Sequence, residues 1–246
     1  ANVARLQKDM DEAKRVVGGA ASSIDQAAKK ATESLGNLGG ALKAVVASFG
    51  AAQLVAFADQ YTLISGKIKN ATESQAQFNI ALTEIKRIAT SSQNELGAIA
   101  QSYSRILNNT RELGASQRDI SKIVESATLA LKVNGATVQE TTSALQQLSQ
   151  AFGKGKLDGD EFRTLMEASP GVMRRVAESI GVPFGALKDL AAQGQITGAV
   201  LVKALSDEKY LAELRKQAGE MMTISGAFTV LKNNVIEFVG AQAQSS

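Results

Sequence analysis

The sequence predicts an all-α protein, with N-terminal amphipathic, coiled-coil-like helices followed by a compact multi-helix domain of short helices. Three observations carry this expectation. The 246 residues hold only two prolines, Pro170 and Pro183, so long stretches are free of the residue that breaks helix interiors by lacking an N–H and clashing with the preceding turn. Helix caps and stops recur at short intervals, and no segment shows a run of strand alternation. Aromatic residues make up 4% of the chain, with no Trp, which favours helices packed through small side chains over a β-sandwich or a deep aromatic pocket.

From Val3 to Ser34 the chain keeps a seven-residue rhythm. Val3, Met10, Val17, Ile24 and Ala31 form one apolar column, and Leu6, Ala13, Ala20, Ala27 and Ser34 form the other. This is a left-handed coiled-coil pattern, weakened by its Ala-rich column and by Gly18–Gly19, at about 1 kcal/mol per glycine relative to Ala. Two readings fit it: an amphipathic helix that packs on whatever is near, or a homo-oligomeric seam. After a break at Gly36–Gly40, the fifteen residues Ala44–Ala58 carry no charge. A bilayer span needs about 20 apolar residues, so a buried or oligomer-facing helix is the expected fate of this run, with membrane insertion as the alternative.

From Ala71 onward the punctuation is helix–turn–helix repeatedly. Phe78, Leu82, Ile85 and Ala89 share one helical face. Ser92 with Glu95 reads as a capping box, each side chain satisfying a backbone donor at the start of the next helix. That helix turns Leu96, Ile99, Tyr103 and Ile106 or Leu107 inward and ends near Asn108–Asn109. Ser116 caps a helix bearing Ile120, Ile123, Val124 and Ala127 or Leu131, stopped by Asn134–Gly135. Thr137 with Glu140 forms a second capping box, opening a helix whose inner residues are Leu145, Leu148 and Phe152. Shorter helices are expected at about Asp160–Ala168, Gly171–Ile180, Pro183–Gln193 and Gly198–Leu214, with Gly181 and Gly194 placed as C-terminal glycines.

Composition narrows the chemistry. Cys and His are both absent, which removes disulfides, thiolate metal sites, Cys nucleophiles and the commonest general base and zinc ligand. Lys and Arg number 27 against 24 Asp and Glu, a net charge of +3, which describes a mixed surface and not a nucleic-acid tail. No cofactor is expected. Around Gly159 the run KGKLDGDEFRTL imitates a calcium loop, but Lys154 and Lys156 fall where carboxylate ligands belong and Leu165 where the bidentate Glu belongs. Val176–Gly194 has the punctuation of a helix-turn-helix. Its second helix would open with Pro183, Phe184, Gly185 and Ala186, none able to contact a base edge in bidentate fashion, with Lys188 as its one cation. Between Gly153 and Lys203, seven basic residues face six acidic ones, so a helix-turn-helix shape used for packing is expected over sequence-specific DNA binding. Asp158, Asp160 and Glu161 form the densest carboxylate cluster. They sit at a helix start, where capping and the helix dipole account for them better than catalysis does; an enzyme is not expected.

The order of short motifs is more informative than any of them alone. ELGAS and NGAT are followed by QLSQAFGKGKLDGDEF, then SPG, GV and QGQIT, within a resemblance extending from about Phe57 to about Gly240. The chain resembles the N-terminal domain of tape measure proteins from tailed bacteriophages and prophages. The resemblance marks Gly155, Lys156, Leu157, Gly159, Glu161, Phe162, Pro170, Gly171, Gly181, Val182, Gly194 and Thr197 as structural positions of the family motif. With the residue pattern reading 1–35 as a heptad-patterned helix and 36–70 as an apolar helical segment, the resemblance implies 71–215 as the compact helical domain and 216–246 as the start of the tape or a linker helix. Because the chain opens at Ala1 and closes where a tape would begin, it is expected to be an excised fragment.

The implied role is that of a structural and assembly protein of a phage tail. It would set tail length, template tail-tube assembly and occupy the tail lumen until DNA ejection, after a cytoplasmic stage in the host during assembly. The implied partners are the tail tube protein, tail assembly chaperones and tail-tip or tail-end proteins. Homo-oligomerisation through the N-terminal helices and transient host-membrane contact by the full-length protein belong to the same expectation. A helical DNA-associated adaptor using the helix-turn-helix-like segment is the rival reading.

Overall fold

The computed structural model describes residues 50–221 and 223–244. The heptad columns of Val3–Ser34, the Gly36–Gly40 break and residues 44–49 lie outside the described residues. All-α architecture holds: among the described residues there is no strand, only an isolated antiparallel bridge between Lys156 and Thr197. The helices are α1 (Ala51–Ala71), α2 (Gln75–Ser92), α3 (Leu96–Asn109), α4 (Gln117–Val133), α5 (Val138–Lys154), α6 (Gly159–Ala168), α7 (Pro170–Ile180), α8 (Leu187–Ala192), α9 (Gly198–Leu205), α10 (Glu208–Gly219) and α11 (Ile224–Gln244). The chain divides into two compact units, one formed by Ile64–Asn233 and the other by residues up to Leu63 together with those from Asn234 onward.

The larger unit is organised around α4. Its stretch from Ile120 to Leu131 is buried apart from Lys122, and α2, α3, α5, α7, α9 and α10 all pack on it. The sequence pattern had suggested one apolar face. Burial on every side is tolerated because Glu125 is paired from other helices and two of the hydroxyls bond back to their own helix: Ser121 Oγ donates to the Gln117 carbonyl at 3.1 Å and Thr128 Oγ1 to the Val124 carbonyl at 2.9 Å. Such back-bonding removes most of the cost of burying a hydroxyl. Around α4 the expected inward residues Ile85, Ala89, Leu96, Ile99, Tyr103, Ile106, Leu145, Leu148 and Phe152 join one continuous core, with Phe78 and Leu82 half-buried at its margin.

The local caps explain where most helices begin. Ser116 and Thr137 form complete capping boxes with Asp119 and Glu140. Ser74, Ser169, Thr197 and Asp207 each accept a first-turn N–H. Three boundaries differ from the sequence pattern. The Ser92–Glu95 capping box does not form: Ser92 ends α2 with its hydroxyl turned back to the Ile88 carbonyl at 2.7 Å, and Gln93 takes a left-handed conformation at φ 59°. The helix expected over Gly198–Leu214 divides at Ser206–Asp207, because the Asp207 carboxylate captures the Tyr210 N–H at 2.8 Å and starts α10. Pro183–Gln193 is a single turn of 3₁₀-helix, Phe184–Ala186, followed by the six-residue α8.

The smaller unit buries Phe57, Tyr61, Val235 and Ile236, with Leu54 and Val239 half-buried against them. Gly240 lies directly on the Tyr61 side chain, where any Cβ would collide with the ring. No helix among the described residues is long and apolar enough to cross a membrane.

Candidate functional site

Gly155, Lys156, Leu157, Gly194 and Thr197 meet at a crossing of two connections. α5 ends at Gly155, left-handed at φ 74°, and the next three residues run extended into α6. Farther on, Gly194, at φ 68°, terminates the α8 region, and a short connection that bends at Ile196 leads into α9. The two connections pair antiparallel: Leu157 N–H donates to the Ile196 carbonyl at 2.8 Å, and Gly198 N–H donates to the Gly155 carbonyl at 2.8 Å. Leu157 and Ile196 are fully buried beneath the crossing. The Lys156 stem passes over Gly194, where a Cβ would sit 3.3 Å from its Cδ. Thr197 then caps α9 through the Val200 N–H.

Charge at the crossing is internally matched. Lys156 pairs with Asp158 at 2.6 Å and Lys154 with Glu161 at 2.6 Å. The Lys156 ammonium holds the Asp158 carboxyl below the usual range, and the Glu161 carboxylate raises Lys154. Asp158 occupies the N-cap position of α6, but its side chain makes no capping bond and goes to the lysines. The capping role expected for this acidic cluster is therefore corrected for Asp158. Glu161 is itself buried, Phe162 packs half-buried on the core, and Gly159 opens α6 at φ 55°.

The remaining motif residues work elsewhere in the same unit. Pro170 is the first residue of α7, where its missing N–H removes no helical bond. Gly171 lies under the Asn134 amide, with 3.1 Å between that nitrogen and the place of a Cβ. The NGAT and SPG motifs thus abut. Gly181 closes α7 at φ 72°, and Val182 N–H returns to the Ala177 carbonyl at 3.1 Å. Within the helix-turn-helix-like segment, Leu187 and Ala191 of α8 are buried in the core, and the Arg174 guanidinium lies 5.6 Å from the Phe184 ring centre. The short second helix is used for packing. At the crossing and at the Asn134–Gly171 contact, these motif residues fasten separate chain segments together.

A second polar centre lies on α4. Glu125, 1% exposed, receives two hydrogen bonds from Arg87 of α2, at 2.6 and 2.7 Å, and two from Arg215 of α10, at 2.9 and 2.7 Å. Burial alone would push its carboxyl up; the bonds from Arg215 and Arg87 outweigh burial and hold it below the usual range. Glu84 also pairs with Arg87, and Lys122 with Glu208, both at 2.7 Å. The partners of Glu125 stand 38 and 90 residues away, so no local spacing announces them. The available hint is a lone acidic residue inside the apolar run IVESATLALKV. On either side of this triad the surface opens into a cleft, one of about 490 Å³ bordered by Arg118 and Lys122, the other of about 540 Å³ bordered by Leu129 and Lys132.

The model of one protein family, described as tape measure protein, matches residues 52–244. No curated protein and no solved structure matches the chain. The all-α fold, the ordered motifs and this match over most of the chain agree: the protein belongs to the tape measure protein family, structural components of phage tails.

Proposed function

We propose that Ile64–Asn233 is an end device of the tail tape and not part of the ruler. The observation behind this reading is the long-range fastening of the unit, with Glu125 tied to Arg87 and Arg215 on two other helices. An extended helix advances 1.5 Å per residue, so the same residues drawn out would cover about 250 Å, whereas a packed body of this size has a radius of gyration of about 15 Å. A body fastened across so many positions fails as a unit when cut. In this role it docks at one end of the tail and engages tube protein, assembly chaperones or tail-end proteins. The extended remainder of the full-length protein sets the length, templates the tube and lies in the lumen until DNA leaves.

In-frame deletions in the full-length protein test this. Removing residues beyond Gly240, in the expected tape, should shorten tails by about 1.5 Å per residue if the tape is a straight helix. Removing segments inside Gly155–Ala204 should block assembly or infectivity without graded shortening. Tail lengths measured by electron microscopy decide it, and graded shortening from the second set overturns the proposal.

A further inference from the structure

The first turns of α11 lie on the larger unit with their apolar side turned out. Ile224 is 80% exposed and Phe228 68% exposed. Within residues 224–233 only Gly226 and Asn233 are buried, so this stretch commits no fully buried apolar side chain to the core. Burial of that kind is the main force that docks one element on another. Two clefts also border the stretch. One, of about 540 Å³, is lined by Ala227 and Val230 together with Leu129 and Ala218; the other, of about 510 Å³, by Thr223 and Ser225 together with Thr137 and Thr141. Atoms that face open space forgo dispersion contacts.

What holds the stretch is polar, and it falls on four consecutive residues, from Gln93 at the end of α2 to Leu96 at the start of α3. Gln93 Oε1 accepts the Thr223 N–H, and Gly226 lies so close to the Gln93 side chain that a Cβ would collide with it. Asn233 donates to the Asn94 carbonyl and accepts the Leu96 N–H, while Lys232 pairs with Glu95. Gln93 is the one non-glycine residue of positive φ among the described residues, a conformation that Gln seldom takes.

We infer that residues 224–233 are a releasable strap: they leave the folded unit together, uncapping α3 and freeing Gln93, while the core around α4 stays intact. Segments with few buried apolar contacts open at lower free energy than the core. Release here exchanges hydrogen bonds and one half-exposed ion pair for water, and takes no apolar side chain out of the core. On the end-device reading, the strap is the joint through which a pull on the chain beyond it reaches the packed body, and it yields first.

Amide hydrogen exchange of the whole chain, followed by NMR across low urea concentrations, tests this. The Leu96 amide and the amides of 226–233 should exchange through one shared opening, about a hundredfold or more faster than the buried amides of α4. Their rates should depend little on urea, because the opening exposes little surface. Gly226→Ala raises helix propensity but sets a Cβ into Gln93. It should speed exchange at Leu96, which it does not touch, by about tenfold, and Gln93→Gly in the same chain should slow it again. Lys232→Gln should speed the same amides by about twofold. Strap amides that exchange only with α4 and with its urea dependence, or acceleration confined to the neighbours of residue 226, overturn the strap. Those results would leave the tail-length experiment untouched, and graded tail shortening would leave the exchange rates untouched.

Discussion

Asn233 caps a helix that begins 137 residues earlier: its side-chain oxygen accepts the Leu96 N–H at 3.0 Å, and its amide donates to the Asn94 carbonyl at 2.7 Å. The N-cap position, Glu95, supplies no capping bond of its own and pairs with Lys232 at 3.1 Å. The start of α3 is thus completed by a residue of α11.

Replacing Asn233 removes both bonds from a buried position. Asn233→Ala should destabilise the fold by about 1–3 kcal/mol, the cost of orphaned buried donors and acceptors. Asn233→Asp keeps the acceptor for Leu96 but sets a carboxylate against the Asn94 carbonyl, so it should also lose stability. Urea midpoints for the two variants check this; a neutral Asn233→Ala would mean that α3 does not need the clamp.

The Glu125 triad predicts a pH dependence. Its carboxyl lies below the usual range in the fold, so as pH falls the unfolded chain takes up the proton first. The stabilisation is complete above about pH 4.3 and is lost as pH drops toward the folded-state value. Glu125→Gln should cost about 1–3 kcal/mol at pH 7, because the arginines left behind are 38% and 45% exposed, and the gap from the parent protein should narrow at pH 3. A gap that widens on acidification would contradict the assignment.

Tyr210 offers the opposite sign. Its hydroxyl is buried without a hydrogen-bond partner, and burial raises its pKa to about 12, while Arg175 lies 5.6 Å from the ring centre. Tyr210→Phe keeps the ring and discards an unsatisfied polar atom, so it should be neutral or stabilising by about 1 kcal/mol. Thermal unfolding that drops markedly would show that the hydroxyl is used.

Gly181 and Gly194 separate backbone strain from crowding. Both have positive φ, but only Gly194 has a side chain, Lys156, near the place of a Cβ. Gly181→Val should cost about 1 kcal/mol or more from conformation alone, with Gly181→Asn milder because Asn visits the left-handed region. Gly194→Val should cost at least as much. A neutral result at both positions by thermal unfolding would sink the placement of these helix ends.

What was legible in the sequence follows from distance along the chain. The Ser116 and Thr137 caps, the Asn134–Gly135 stop and the Gly181 stop are settled within three or four residues, and all stand where the pattern puts them. Asp207 was legible too, yet a continuing apolar face concealed the break it makes. The Ser92–Glu95 box failed because the true acceptor for Leu96 lies on α11. The same limit hid the Glu125 triad and the Lys132 cleft, which depend on helices brought together by packing. Motif order identified the family, but only the fold shows that Gly155–Leu157 and Gln195–Thr197 belong to one crossing.

The triad also orders events during synthesis. Glu125 leaves the ribosome ninety residues before Arg215 does, and Asn233 follows later still. Until then α4 carries a carboxylate with one of its two counter-charges missing, so the fastening of the central helix is complete only once α10 has been made.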